Sequence, residues 1–317
     1  MTAMTAEAND MQTTDLNTHI HEVLERACPE VRITSLCRYD AGYSSKHWIA
    51  DTDEGRLLVK VPQRNRDPEH LRSLMAATRV AAEHDIPVVR FRRLVQHDEA
   101  VGGPVLIQEY QDGDTAADLW DGLDEDERTA VCRDLGDLVG RVHAITAPEF
   151  GPVLGGSRVA TLRESVETEL DALLAQADPA MLGERAALRT AVVKALHQLD
   201  ESASVPALLH GDLWLPNVLV RDGRVSCILD FEHAVYADRF RDFGKLDEHI
   251  FDKYPQGRGA FLDAYSGAFP VPNDWEARLA LSSVLHALTM HVYFLRWSPQ
   301  WAPQYARQAA DWLAERS

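Results

Sequence analysis

Cysteine is scarce and scattered. Cys28, Cys37, Cys132 and Cys227 are the only four in 317 residues, no two form a C-x-x-C pair, and no histidines cluster beside them. That argues against a zinc site or a disulfide framework and points to a reducing compartment, the cytoplasm. Basic residues are also short: 32 Lys and Arg against 50 Asp and Glu give a formal net charge of −18 at pH 7. Such a surface repels nucleic acid and anionic lipid, whose binding needs clustered cations. No nucleic-acid or membrane partner is expected. The acidity suits a cationic small molecule but chiefly serves solubility. No apolar run reaches the ~18 residues that a membrane helix needs. The opening "MTAMTAEANDMQTTD" lacks the basic region and apolar core of a secretory signal, and disorder is expected over residues 1–13. Internal repeats and low-complexity tracts are absent, and nothing specifies an oligomer, so a monomer is the default.

What is present divides the chain in two. The length suggests two domains or one large one, and a hydrophobic content of 45% can fill a sizeable core. Leu16, Ile20, Val23, Leu24 and Ala27 recur at helical spacing. "RITSLCRYD", "SSKHWIADT" and "RLLVKVP" then read as three strands joined by turns. A helix follows over Asp67–Asp85 with Pro68 in its first turn, and "IPVVRFRRLVQH" and "GPVLIQEYQ" read as two more strands. From "TAADLW" onward the pattern is helical, interrupted by one hairpin. The expected fold class is α+β and bilobal. Residues 1–111 form an antiparallel sheet with one inserted helix, and 112–317 form a larger, mostly helical lobe carrying the hairpin. A cleft between two such lobes is a common ligand site, with the strand-to-helix switch near Gln111–Gly113 as its hinge.

The hairpin carries the chemistry. In "LLHGDLWLPNVLV…RDGR…VSCILDFEHA", Asp212 and Asn217 are five apart in a Pro-containing loop, and Asp230 follows thirteen residues later. A lone "HGD" or "LDF" is an ordinary turn. The ordered set after a strand-rich lobe is not. An amide oxygen and a carboxylate from neighbouring hairpin arms suit a hard cation such as magnesium. Asp212, upstream of both, is placed to accept or orient a hydroxyl proton. Phosphoryl transfer requires that division of labour. Lys60, mid-strand in "LLVKVP", shares a face with Leu58 and Pro62, where a cation needs an anion such as phosphate. "DAGYSS" supplies Gly42, Ser44 and Ser45 to a loop whose amides can approach phosphate oxygens, although the G-x-G-x-x-G pattern is missing.

"HGDLWLPN…ILDFEHA…ADRFRD" resembles the catalytic segment of the aminoglycoside phosphotransferases, which share the protein-kinase-like fold. The resemblance implies that Asp212 is the catalytic aspartate, that Asn217 and Asp230 ligate Mg2+, that His210 supports the loop, and that Asp242 braces it. It also implies that the Glu109 carbonyl and the Gln111 amide read adenine, with ATP the donor and GTP open because backbone readout leaves little side-chain signature. The family's glutamate partner for the lysine is missing: Leu74 or Met75 falls at its place, and Glu69, a turn earlier, is one substitute.

Substrate recognition is less legible. Glu232, Asp247 and His249, with Glu248 and Asp252 nearby, are candidate acceptor contacts, while His286 and His291 read as hydrogen-bonded core histidines. Tyr293, Phe294, Trp297 and Trp301 read as core rather than as a stacking wall. The expected activity is ATP- and Mg2+-dependent phosphorylation of a small-molecule hydroxyl. A sugar-containing antibiotic, aminoglycoside or nucleoside in type, is the leading acceptor, with resistance or self-protection as the outcome. The alternatives are a metabolic kinase of fructosamine, homoserine or choline type, and a nucleotide-binding pseudokinase.

Overall fold

The computed structural model describes residues 16–39 and 45–316. The disorder expected over 1–13, and Gly42 and Ser44, lie outside the described residues. Two compact units are formed: Met1–Gly113 with Cys227–Glu232, and Asp114–Ser226 with His233–Ser317.

The first unit contains α1 (16–27) and a five-stranded sheet of β1 (Ile33–Tyr39), β2 (Ser45–Thr52), β3 (Gly55–Pro62), β4 (Phe91–Asp98) and β5 (Gly103–Glu109). The order is β1-β2-β3-β5-β4 and every pair is antiparallel. Alternation assigns the faces. Trp48 lies opposite Val59 and Ala50 opposite Leu57, and these four pack with Ile20, Val23 and Leu24 of α1. The Trp48 indole is fully buried and donates to Asn17 Oδ1 at 2.6 Å. Lys60 pairs with His47 and Leu106. It alternates with Leu57, Val59 and Val61, so it lies on the other face and is half-buried. Helix α2 (Pro68–Glu83) starts where Asp67 accepts the Glu69 N–H and Pro68 fixes the first turn, and it buries Leu71, Leu74, Ala77, Thr78 and Ala81. The fourth expected strand begins late, at Phe91. Pro87 has no N–H to give a ladder, so Ile86–Arg90 stays outside the sheet; Val88 makes a single parallel bridge to Ile228, whose N–H donates to Pro87 O at 2.9 Å.

The second unit is mostly helical. Its small strands are β6 (Asp114–Thr115), β7 (Gly151–Pro152), β8 (Ala207–Leu209), β9 (Val218–Arg221), β10 (Arg224–Ile228), which crosses the boundary between units, and β11 (Val235–Ala237). They form the ladders β10-β9-β6 and β7-β11-β8. The helices are α3 (Ala116–Leu119), α4 (Glu125–His143), α5 (Leu162–Gln176), α6 (Pro179–Leu182), α7 (Arg185–Leu196), α8 (Phe243–Leu246), α9 (Gly257–Ala268), α10 (Trp275–Trp297) and α11 (Ala302–Ala314). Asp124 and Glu127 close a reciprocal capping box at the start of α4. Helix α4 approaches α9 closely because Gly136 has no side chain: a Cβ there would strike the Phe261 backbone. Leu162, Val166 and Leu170 of α5 pack with Leu188 and Val192 of α7, Leu285 and Leu288 of α10, and Trp312 of α11. No helix among the described residues is long and apolar enough to cross a membrane.

"RFRDFGKLDEHIFDKY", part of the helical pattern expected after the hairpin, is three pieces. A 3-10 turn over Arg239–Asp242 passes into α8 and then into a π-helix over Asp247–Phe251. The widened turn is anchored from outside. Glu248 accepts from His286 Nε2 at 2.8 Å and from the Tyr305 hydroxyl at 2.5 Å, and Gly244 lies so close to α10 that a Cβ would meet the His286 ring. Burial alone would raise the Glu248 carboxyl. The hydrogen bonds from His286 and Tyr305 outweigh it and hold the group at about 2, against the usual 4.5.

A carboxyl lowered on folding stabilises the protein above its unfolded value, here about 4.5, and that stabilisation is lost as pH falls toward about 2. Glu248→Gln should therefore lower Tm at pH 7 by about 2–4 °C, and the gap to the wild type should narrow as the pH is taken down to about 3. A gap of constant size across that range, in thermal melts followed by circular dichroism, would contradict the assignment.

Candidate active site

Strand β8 is wholly buried and ends at Leu209, and the loop that leaves it is held by a carboxylate from below. Asp242, 2% exposed, accepts the His210 N–H on Oδ2 and the Gly211 N–H on Oδ1, both at 2.8 Å. His143, also buried, places Nε2 at 3.1 Å from the same carboxylate and Nδ1 at 2.9 Å from the Tyr265 hydroxyl. Burial would raise the Asp242 carboxyl; the hydrogen bond and charge of His143, with the His210 contacts, outweigh it and leave the group lowered. Gly211 has φ +81°, and a Cβ there would strike the His233 carbonyl. Only glycine serves at that position. The His210 ring then accepts the Asp212 N–H on Nδ1 at 3.2 Å. His210 and Asp242 thus both support the loop that carries Asp212.

The Asp212 side chain, 24% exposed, is bound at one oxygen. Lys245 Nζ lies 2.9 Å from Oδ1. Asn217 Nδ2 donates to the Asp212 carbonyl at 2.8 Å and lies 3.4 Å from Asp212 Oδ2. Both partners are acceptors, so the amide orientation is set by chemistry: the nitrogen faces Asp212 and Oδ1 turns away. That oxygen accepts no hydrogen bond from a described residue and is a hard neutral donor, the type a magnesium ion takes. The structure brings Asp212 and Asn217 together in this unit. Trp214 lies beside them, with Lys245 Nζ 5.1 Å and the His249 ring 5.1 Å from its centre.

Lys245 is the residue that sequence reasoning passed over. The only signal was its position one turn beyond Asp242, and a single lysine on a short helix otherwise reads as solvated.

Ser45, Lys60, Glu109, Gln111, Asp230 and Glu232 belong to the first unit. Asp230 has a left-handed backbone, φ 66°, a conformation that costs a non-glycine residue energy and clusters at functional sites, and its neighbour Phe231 is buried. Glu232 lies 3.5 Å from His70 Nε2. Ser45 opens β2 opposite Pro62. No carboxylate among the described residues pairs with Lys60. Glu69, a possible substitute partner, is 84% exposed and sits 3.8 Å from Arg72 instead, while Leu74 is buried. Glu109 gives its side chain to Arg92 at 3.2 Å and its N–H to the Arg90 carbonyl at 2.8 Å. The Tyr110 N–H donates to the Arg56 carbonyl, and the Arg56 guanidinium covers the Tyr110 ring at 4.3 Å. Gln111 is half-buried.

The expected acceptor contacts divide. Asp247 is paired with Arg258, yet burial, with Asp252 adding to it, pushes its carboxyl up to about 6. Burial lowers the His249 imidazole. Glu248 is committed to His286 and Tyr305. His291 is a core histidine, donating from Nδ1 to the Ala302 carbonyl at 3.0 Å and accepting the Asp178 N–H on Nε2 at 3.3 Å. The core reading fails for two of the four aromatics: Tyr293, in the last turns of α10, is 41% exposed, and Trp301, in the 3-10 turn that follows, is 52% exposed. Phe294 stacks on Tyr305.

The model of the phosphotransferase enzyme family, APH, matches residues 35–281. Among curated proteins the chain is similar to the Probable ketoamine kinase of Enterococcus faecium (strain ATCC BAA-472 / TX0016 / DO), with 30% identity over 97 residues; the match spans 30% of this chain and 32% of that protein's length. Among solved structures, aminoglycoside phosphotransferase APH(4)-Ia aligns with TM-score 0.73 and 14% identity over 96% of this chain and 99% of its own. A thermostable mutant of it in ternary complex with ADP and hygromycin B aligns with TM-score 0.67 and 15% identity over 93% and 97%. Macrolide 2'-phosphotransferase MphH from Brachybacterium faecium aligns with TM-score 0.57 and 19% identity over 92% and 97%. Identities this low speak for the fold, and the family model, which covers well over half of the chain, speaks for the lineage. The chain belongs to the phosphotransferase enzyme family and has the protein-kinase-like fold of the aminoglycoside phosphotransferases.

Proposed function

We propose that this protein is an ATP- and Mg2+-dependent O-phosphotransferase that phosphorylates a hydroxyl of a small molecule. The acceptor we favour is a sugar-containing antibiotic of aminoglycoside or nucleoside type, and the outcome is resistance or self-protection. One observation carries the reading. In the loop that follows β8, a carboxylate is held by a lysine at one oxygen, beside an asparagine whose amide oxygen is turned outward. Structural support alone does not require a carboxylate beside an amide oxygen that accepts no hydrogen bond from a described residue, whereas phosphoryl transfer uses such a pair to orient a hydroxyl and to hold a metal ion. The solved complex of an APH(4)-Ia mutant with ADP and hygromycin B supports nucleotide and antibiotic as ligand classes.

In this reading Asp212 receives or orients the acceptor hydroxyl. Asn217 Oδ1 and the Asp230 carboxylate would hold a magnesium ion, which would supply charge neutralisation to the phosphate oxygens. Lys60, half-buried and without a carboxylate partner among the described residues, binds phosphate oxygens, assisted by Gly42, Ser44 and Ser45. The Glu109 carbonyl and the Gln111 amide read adenine. Glu232, Asp247 and His249 contact the acceptor. The similarity to a ketoamine kinase favours a second reading, in which the acceptor is a sugar-derived ketoamine of metabolism and the chemistry is the same.

Replacing Asp212 by Ala or Asn should lower kcat at least about a hundredfold while the melting temperature stays near wild type; wild-type turnover in a folded variant would overturn the assignment. Asn217→Ala should raise the Mg2+ concentration needed for half-maximal rate by about tenfold, with excess metal recovering part of the activity, and an unchanged Mg2+ titration would remove Asn217 from the metal site. Radiolabelled ATP offered with a panel of aminoglycosides, nucleoside antibiotics and fructosamines separates the acceptors by which product carries the label. Label on the fructosamines alone would replace the antibiotic reading by the metabolic one.

A further inference from the structure

Lys245 has no role in the division of labour above, yet it makes the shortest contact to the Asp212 side chain. It lies on α8, one turn beyond Asp242, so the segment that clamps the loop backbone also reaches the loop's carboxylate. The base of its side chain is rigid. Phe243 and Leu246 on either side are 2% and 0% exposed, and Gly244 is pressed against His286. Its own side chain is 16% exposed, and its ammonium is 2.9 Å from Asp212 Oδ1 and 5.1 Å from the centre of the Trp214 ring. An exposed ion pair would contribute little. This one is mostly sheltered, with a short, charge-assisted hydrogen bond and an aromatic face on its other side.

We infer that Lys245 is a positioning residue for phosphoryl transfer. By holding Oδ1 it fixes the rotation of the Asp212 carboxylate and leaves Oδ2 as the oxygen presented to the acceptor hydroxyl. The Asn217 Nδ2 contact to Oδ2, at 3.4 Å, is long for a hydrogen bond and restrains the group weakly. A carboxylate free to rotate would share its productive orientation with unproductive ones, and small misplacements at a reacting group cost about 10- to 100-fold in rate. The inference rests on the assignment of Asp212 proposed above.

A double-mutant cycle tests it on the full-length protein, with labelled ATP and the best acceptor from the panel. Lys245→Met should lower kcat by about 10- to 100-fold, change KM for ATP and for the acceptor by less than about threefold, and leave Tm within a few degrees; Lys245→Arg should recover part of the loss. In the Asp212→Asn background, Lys245→Met should cost less than about twofold, because two residues acting as a unit are not additive. Wild-type kcat in Lys245→Met overturns the inference. So does an equal loss in both backgrounds, which would mean that Lys245 acts on the phosphates directly, and so does a loss that tracks a fall in Tm and is not recovered by arginine. Wild-type turnover in Asp212→Asn itself would instead defeat the underlying assignment.

Discussion

A buried carboxylate that satisfies two successive backbone N–H groups is the interaction on which this site depends. Strand β8 ends in the interior, where unpaired amides are costly. The His210 and Gly211 N–H groups follow the last ladder position of β8, and Asp242 takes both. An isolated buried charge would be destabilising. His143 and its Tyr265 partner complete the shell and make the charge tolerable. The glycine follows from the same geometry: with the backbone drawn down to Asp242, residue 211 must take a positive φ against the His233 carbonyl. What emerges on the far side of that bend is Asp212, on a backbone with little freedom left.

The same segment serves twice. The 3-10 turn that presents Asp242 passes directly into α8, which presents Lys245, and then into a π-helix whose Glu248 is tied to α10 and α11. Support for the loop, restraint of the carboxylate and attachment to the helical core are therefore consecutive in the chain. Such an arrangement places functional groups on rigid elements rather than on loops alone, and the helix irregularities mark where the requirement falls.

Much of this was legible in the residues. The strands β1 and β2 follow from two-residue alternation, and β3 and β5 from short apolar runs bounded by turn signals. Helices α2 and α4 follow from their periodicity; their Asp67 and Asp124 caps are read from the structure. Asp212, Asn217 and Asp230 stood out because hydrophilic groups at fixed intervals interrupt apolar runs. Other features were illegible for physical reasons. The apolar spacing of "RFRDFGKLDEHIFDKY" fits one continuous helix, and its division into three kinds of turn comes from contacts with distant helices. Tyr293 and Trp301 look like core residues by type, yet they fall at a helix end and in the turn after it, where both stay substantially exposed. Lys245 is silent as a letter, since its partner lies in another element.

The sequence by itself determined the class of protein, the two-part division of strands and helices, and the identity of the oxygen-bearing residues, because these depend on local periodicity, on turn chemistry and on which atoms a side chain owns. Only the tertiary structure decided which oxygen of Asp212 is held, which way the Asn217 amide points, and that Glu69 is not the partner of Lys60. Those are questions of distance between residues far apart in the chain, and no local pattern encodes distance.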